Sequence, residues 1–187
     1  MGPFPLKTER LLLREFLVED EAAVAAYASD PEVTRHTSWG PNDLETTRAV
    51  LRQWIADQNQ WPRSSIPLGI ELHAQNRLVG STGFASITDG TGVFGFVLER
   101  SCWGAGIATE ASRALLRFGF EDLGLHRVVA ECFVEQTASV RIFEKLGMRK
   151  EAHFLKNAYK AGVWRDTCLF AILQEEWSRN HAGHAIP

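Results

Sequence analysis

Residues Ser101-Cys102-Trp103-Gly104-Ala105-Gly106-Ile107-Ala108 carry the sharpest chemical signal in the chain. Two glycines one residue apart, between a strand pattern and a helix pattern, permit positive φ and let a ligand approach the main chain closely. The free N–H groups that open the following helix point at the same spot and favour anions. Such a loop is a cradle for a phosphate or pyrophosphate. A tight strand-to-helix turn with no ligand would have the same sequence. Three occupants can be weighed. A nucleoside triphosphate loop needs Gly-Lys-Ser/Thr after its second glycine, and Ile107-Ala108-Thr109 has no such lysine. A dinucleotide loop needs a third glycine, where Thr109 stands, near the start of a parallel βαβ unit, and here a meander precedes it. The third is a pyrophosphate-containing cofactor bound without a metal, coenzyme A being the main one.

Other reactive side chains give weaker signals. The cysteines are Cys102, Cys132 and Cys168, odd in number and widely separated. That argues against a disulfide framework and a zinc ribbon, and each is expected as a small buried hydrophobe. His181 and His184 have the spacing of a weak metal clip but fall in the tail, so no metal is expected.

The elements that must position the glycine loop follow from periodicity. Residues 10–16 read as a first strand and 20–28 as an Ala-rich helix stopped before Pro31. Residues 30–41 read as a loop, after which Asn42 or Asp43 can cap a second helix. Residues 66–72, 77–87 and 93–98 form three strands with short connections, an antiparallel meander. A helix opens at Gly104-Ala105-Gly106, and residues 127–134 are a largely apolar, central strand. Another helix spans 137–146 with Gly147 as its left-handed terminator. Strands near 152–155 and 167–173 follow, and residues 179–187 read as a loose tail. The fold class is α/β (α+β): one domain over residues 1–187, with a mixed sheet of about seven strands flanked by four helices.

Size and composition agree. With 187 residues, 45% hydrophobic and 23% charged, the chain has the profile of one soluble globular domain. A net charge of −3 gives no general pull toward nucleic acid or an anionic membrane, and neither is expected as a partner. No apolar run approaches the roughly 20 residues needed to span a bilayer. The N-terminus has no apolar stretch of signal-peptide length, so a cytoplasmic enzyme or binding protein is expected.

Three segments together resemble a known family. Gly95-Phe96-Val97-Leu98 with Trp103-Gly104-Ala105-Gly106-Ile107-Ala108-Thr109-Glu110-Ala111 is similar to the acetyl-CoA motif of the GNAT superfamily of N-acetyltransferases. Arg127-Val128-Val129-Ala130 with Gln136-Thr137-Ala138-Ser139-Val140-Arg141-Ile142-Phe143-Glu144-Lys145-Leu146-Gly147-Met148 resembles its second cofactor motif. Leu6-Lys7-Thr8-Glu9-Arg10-Leu11-Leu12-Leu13-Arg14 resembles the first strand of the Rim-type branch, the ribosomal-protein alanine N-acetyltransferases. The likeness covers about residues 6–173.

The resemblance implies acetyl-CoA as co-substrate and direct transfer of the acetyl group to an amine. It implies a splayed gap between two central parallel strands, residues 93–98 and 127–134. The backbone of Phe96, Val97 and Leu98 would pair with the pantetheine amides. The N–H groups of Trp103, Gly104, Ala105, Gly106, Ile107 and Ala108 would hold the pyrophosphate. Ser101 stands where the family often has Gln or Arg, and Gln136 where it often has Asn, near the pantetheine. Phe143 replaces the Tyr that protonates the leaving thiolate in many members. Ser139, matching a Ser of the Rim-type branch, becomes the candidate catalytic group at sulfur. Lys145 and Arg149 are candidates for the CoA phosphates. Trp39, Trp54 and Trp61 lie in the segment that would roof the acceptor cleft, with Trp54 also fitting a helix core stripe. Tyr159 and Asp166 fall in what looks like the substrate-side hairpin, and with Glu71 and His73 they are the general-base candidates.

An α-amine, with a pKa near ~7.7–8.0, is partly neutral at neutral pH, whereas deprotonating a lysine amine costs about 4 kcal/mol at pH 7.4. The expected acceptor is therefore an α-amine of a protein or peptide N-terminus. A small amine such as an amino acid, polyamine or antibiotic is the alternative. A non-catalytic acyl-CoA-binding module is a third reading, separated from the others by whether free CoA is released. The branch also implies a homodimer.

Overall fold

The computed structural model describes residues 4–60 and 62–181. The chain opens with two short strands, β1 (Leu6–Lys7) and β2 (Leu11–Arg14). A single 3₁₀ turn at Val18–Asp20 leads into α1 (Glu21–Ala28). A further one-turn helix, α2 (Pro31–Thr34), lies inside the stretch expected as loop. The Asp30 side chain accepts from the Glu32 N–H, and Pro31 occupies the first turn, where no N–H is needed. The next helix, α3 (Leu44–Asp57), has the expected cap, since Asp43 accepts from the Thr46 N–H at 2.8 Å.

Strands β3 (Ile66–Leu72), β4 (Arg77–Thr88) and β5 (Thr91–Leu98) form the antiparallel meander. Then come α4 (Ile107–Glu121), β6 (Arg127–Phe133) and α5 (Thr137–Lys145). Gly147 ends that helix region with φ +78°. The last hairpin is longer than expected: β7 (Arg149–Lys160) and β8 (Val163–Leu173) pair along their length around two bulges.

A final helix, α6 (Gln174–His181), replaces the first residues of the expected loose tail. Its sequence is poor in apolar residues, so local pattern misses it. The buried Trp177 ties it to Phe120, with ring centroids 5.7 Å apart. His184, half of the suggested metal clip, and Trp61 lie outside the described residues.

The eight strands form one sheet in the order β1-β2-β3-β4-β5-β6-β8-β7, so the strand count is eight rather than seven, and the helices number six among the described residues. Only β5 and β6 run parallel. Helices cover both faces, and strand alternation sorts the core accordingly. Val79 and Leu98 join Leu115 and Leu116 of α4 in one apolar cluster. Their neighbours Leu78 and Val97 point the other way and join Val24, Tyr27 and Leu51 of α1 and α3. The three cysteines are free and buried, as expected.

Candidate active site

The central parallel strands pair over only three positions, Thr91 with Arg127, Gly92 with Val128 and Val93 with Val129. Beyond Val93, β5 continues to Leu98 on the β4 side, while β6 continues to Phe133 on the β8 side. Their facing edges part, as expected, and leave strand backbone without a strand partner. A cavity of about 450 Å³ occupies this opening. Phe143 of α5 forms part of its wall, 3% exposed and in contact with Phe94, Phe96 and Phe170 at centroid distances of 5.8, 6.2 and 5.2 Å. Gly95 lines the cavity, and a Cβ built there would meet nothing within 4 Å.

At the far end of β5, Gly104 and Gly106 have φ of +74° and +77°. Gly106 is the N-cap of α4 and no side chain caps that helix, so its first N–H groups stay available. Ile107 and Ala108 bury their side chains, leaving only backbone to meet a ligand. The Trp103 indole donates to the Leu98 carbonyl at 2.9 Å, and the residue is 49% exposed.

The loop is pinned from a distant part of the chain. Arg10 donates through Nη1 to the Ala105 carbonyl at 2.9 Å and through Nε to Glu110 at 2.6 Å. Glu110 also accepts from Thr8 at 2.6 Å and from the Arg10 N–H at 3.0 Å. Burial pushes the Glu110 carboxyl up, but these bonds overcome it and hold the group below its ordinary range. The uncapped, glycine-lined helix start with a guanidinium beside it fits a pyrophosphate.

Gln136, Ser139 and Trp39 all line the cavity, together with Phe96 and Val97. Ser139 is 5% exposed, and Gln136 is the N-cap of α5, making no side-chain cap bond. Trp54 also lines the cavity while stacking on Phe16 at 4.7 Å, so it serves core and wall alike. The Trp39 carbonyl accepts from Lys160 Nζ at 2.6 Å, and Gly40 accepts from the same amine. That bond ties the β7–β8 hairpin to the loop between α2 and α3 and closes the roof.

Lys145 is exposed at the last turn of α5, away from the cavity wall. Arg149 is engaged by Glu151 and Glu176. None of Glu71, His73, Tyr159 and Asp166 lines the cavity. Glu71 is buried and bound to Arg14 at 2.6 Å. Tyr159 meets Trp164 in a tilted contact on the outer hairpin, ring centroids 5.1 Å apart. Asp166 accepts from the Lys156 N–H at 2.8 Å and meets His153 at 3.0 Å, and these bonds hold it below the usual carboxylate range.

Two residues that sequence reasoning missed stand in the cavity instead. Among the described residues Glu131 is the only carboxylate lining it, and no Lys or Arg does. Thr167 donates to its Oε1, and Asn157 donates to the same oxygen at 3.3 Å, so Oε2 is left over. The signal was a single charge inside the apolar run Val128-Val129-Ala130-Glu131-Cys132-Phe133. His36, between α2 and α3, has its Nδ1 buried with no hydrogen-bond partner. Burial, then the Arg35 charge, holds its pKa below the ordinary value. Cys132, also in the wall, is pushed up to about 12 by burial and stays a thiol.

A family model described as an acetyltransferase (GNAT) domain matches residues 10–149. The chain belongs to the GNAT acetyltransferase family. It is similar to the uncharacterized N-acetyltransferase YnaD of Bacillus subtilis, 33% identical over 174 residues, covering 92% of this chain and 99% of that protein. Among solved structures, an acetyltransferase (GNAT family) from Bacillus anthracis is 34% identical with a TM-score of 0.81, covering 91% of this chain and 98% of that one. The spermidine N-acetyltransferase of Vibrio cholerae, solved with CoA and spermine, shares the fold at 20% identity and a TM-score of 0.81, over 91% of this chain and 99% of its own. This GNAT chain is thus an acyltransferase with the family's parted central strands.

Proposed function

We propose that this GNAT enzyme transfers the acetyl group of acetyl-CoA to an α-amine at a protein or peptide N-terminus. Acetyl-CoA supplies an acetyl group activated as a thioester. The N–H groups at residues 103–108 hold the pyrophosphate, and the open edge of β5 at Phe96, Val97 and Leu98 takes the pantetheine amides, with Gln136 beside them. Ser139 stabilises or protonates the sulfur, because Phe143 has no proton to give. Glu131 carries the acceptor side of this reading: one unpaired oxygen of an exposed carboxylate, in a cavity that no Lys or Arg lines among the described residues, attracts one ammonium and takes its proton. An α-amine near ~8 needs little help to lose that proton, unlike a lysine near ~10.4.

Acetylation of a small amine is the second reading, favoured by the spermine in the Vibrio cholerae neighbour. The Rim-type branch, with a homodimer and a cytoplasmic location, goes with the first reading and is supported by Leu6–Arg14 and Ser139. Release of free thiol, screened over amines and N-terminal peptides, tests the function. Thiol release with α-amine peptides supports it, and release only with polyamines or other small amines overturns the acceptor class. Glu131→Gln should lower turnover of α-amine peptides by roughly 10²-fold in the thiol-release assay.

A further inference from the structure

The cavity does not end at His36. That residue also lines a second, more open pocket, formed by Arg35 beside it, the turn after β6 and the start of β8. Phe133 belongs to the wall between the two, with the Arg165 guanidinium 5.2 Å from its ring centroid on the outer side.

The charges around the second pocket are already matched. Arg165 pairs with Glu135 at 2.8 Å, Arg35 with Glu32 at 3.4 Å, and Asp166 with His153 at 3.0 Å. What is left over is apolar. Val134 lines the pocket, and Val163 and Trp164 line it while each remains 57% exposed. A second ammonium, such as a polyamine would bring, finds no spare carboxylate there. His36 stands at the junction, where an extended acceptor leaving the first cavity enters the second.

We infer that this second pocket is the subsite for the residue following the acetylated N-terminus and that it takes an apolar side chain. The inference rests on the proposed α-amine acceptor and narrows it to N-termini with an apolar second residue. The first residue sits at Glu131, the chain passes His36, and the second side chain lies on Val163 and Trp164. An aromatic face that excludes water from one aliphatic side chain separates substrates by about tenfold.

The test uses the full chain with acetyl-CoA and a thiol-release readout. The acceptors are peptides alike except for Leu, Asp or Lys at the second position, an amino-acid amide, and spermidine. The Leu peptide should exceed the Asp and Lys peptides and the amide by about tenfold in kcat/KM, chiefly through KM. Trp164→Ala should collapse the Leu-over-Asp ratio toward one. Val163→Asp should raise the Lys peptide above the Asp peptide, a reversal that general destabilisation does not produce. Both side chains are exposed, so both variants should fold, which a melting curve checks. Equal rates across second residues, unchanged ratios in both variants, or spermidine turned over as fast as the Leu peptide would overturn the subsite while leaving the transferase in place. No thiol release with any of these acceptors overturns the proposed function and this inference together.

Discussion

A hydroxyl held near a thioester does little for the neutral substrate and more for the charge that grows on sulfur as the C–S bond breaks. Ser139 is buried in the cavity wall beside a phenylalanine, and in the proposed reaction it makes that late contribution. Ser139→Ala should slow single-turnover transfer by roughly 10²–10³, the loss of one such hydrogen bond. Calorimetry should find acetyl-CoA Kd within roughly threefold of the original. Near-normal single-turnover rates would reduce Ser139 to a helix-start residue. Two glycines can be separated by the same titration. Gly104→Val forces a branched side chain onto φ +74° and covers the cradle, so acetyl-CoA binding should weaken by at least ~2 kcal/mol. Gly95→Leu needs no unusual φ and meets open space, so the protein should fold while the new side chain fills the gap and blocks binding. Unchanged affinity in folded variants would remove the cofactor from this groove.

At the scale of elements, two polar latches set the sheet against its helices. In one, Arg14 of β2 bonds both oxygens of Asp20 at 2.8 Å and Glu71 of β3 at 2.6 Å, and both acids are buried. Removing the one cation leaves two buried carboxylates uncompensated. Arg14→Met should destabilise by about 3 kcal/mol in denaturant titration, and adding Asp20→Asn and Glu71→Gln should recover part of it. In the other, Glu110 joins the β1–β2 turn to the start of α4. Its lowered pKa means the latch contributes fully above the ordinary carboxylate value of ~4.3. That contribution is lost as pH falls through the lower folded value. Glu110→Gln should therefore make Tm fall less steeply between neutral and acid pH. An unaltered acid limb would mean other carboxylates dominate it.

For the whole molecule, direct transfer from thioester to amine needs only the chain's own groups, so EDTA should leave thiol release unchanged. A loss restored by one divalent ion would reopen the question of His181 and His184. Light scattering at micromolar concentration should give twice the 20.9 kDa chain mass if the homodimer forms. A species of one chain alone would sink that proposal. Measured together, these separate a self-sufficient catalytic domain from one that depends on an ion or a partner copy.

Backbone conformations set by a few adjacent residues were readable from the sequence alone. Gly104 and Gly106 announce positive φ, Asn42 or Asp43 a helix start, Gly147 a helix end, and apolar runs bounded by turn residues mark β3 to β6. The order of these signals was enough to resemble one family. Elements whose stability comes from elsewhere were hidden: α6 holds through Trp177 against Phe120, and β7 of the long last hairpin buries none of its own side chains. The site was hidden for the same reason. Arg10 reaches the glycine loop from 95 residues away, and Glu131, Thr167 and His36 come to line one cavity only after the sheet has formed. Local φ preference is written in neighbouring residues. Which side chains converge depends on where β5 and β6 part company, and that is decided by the packing of the whole sheet.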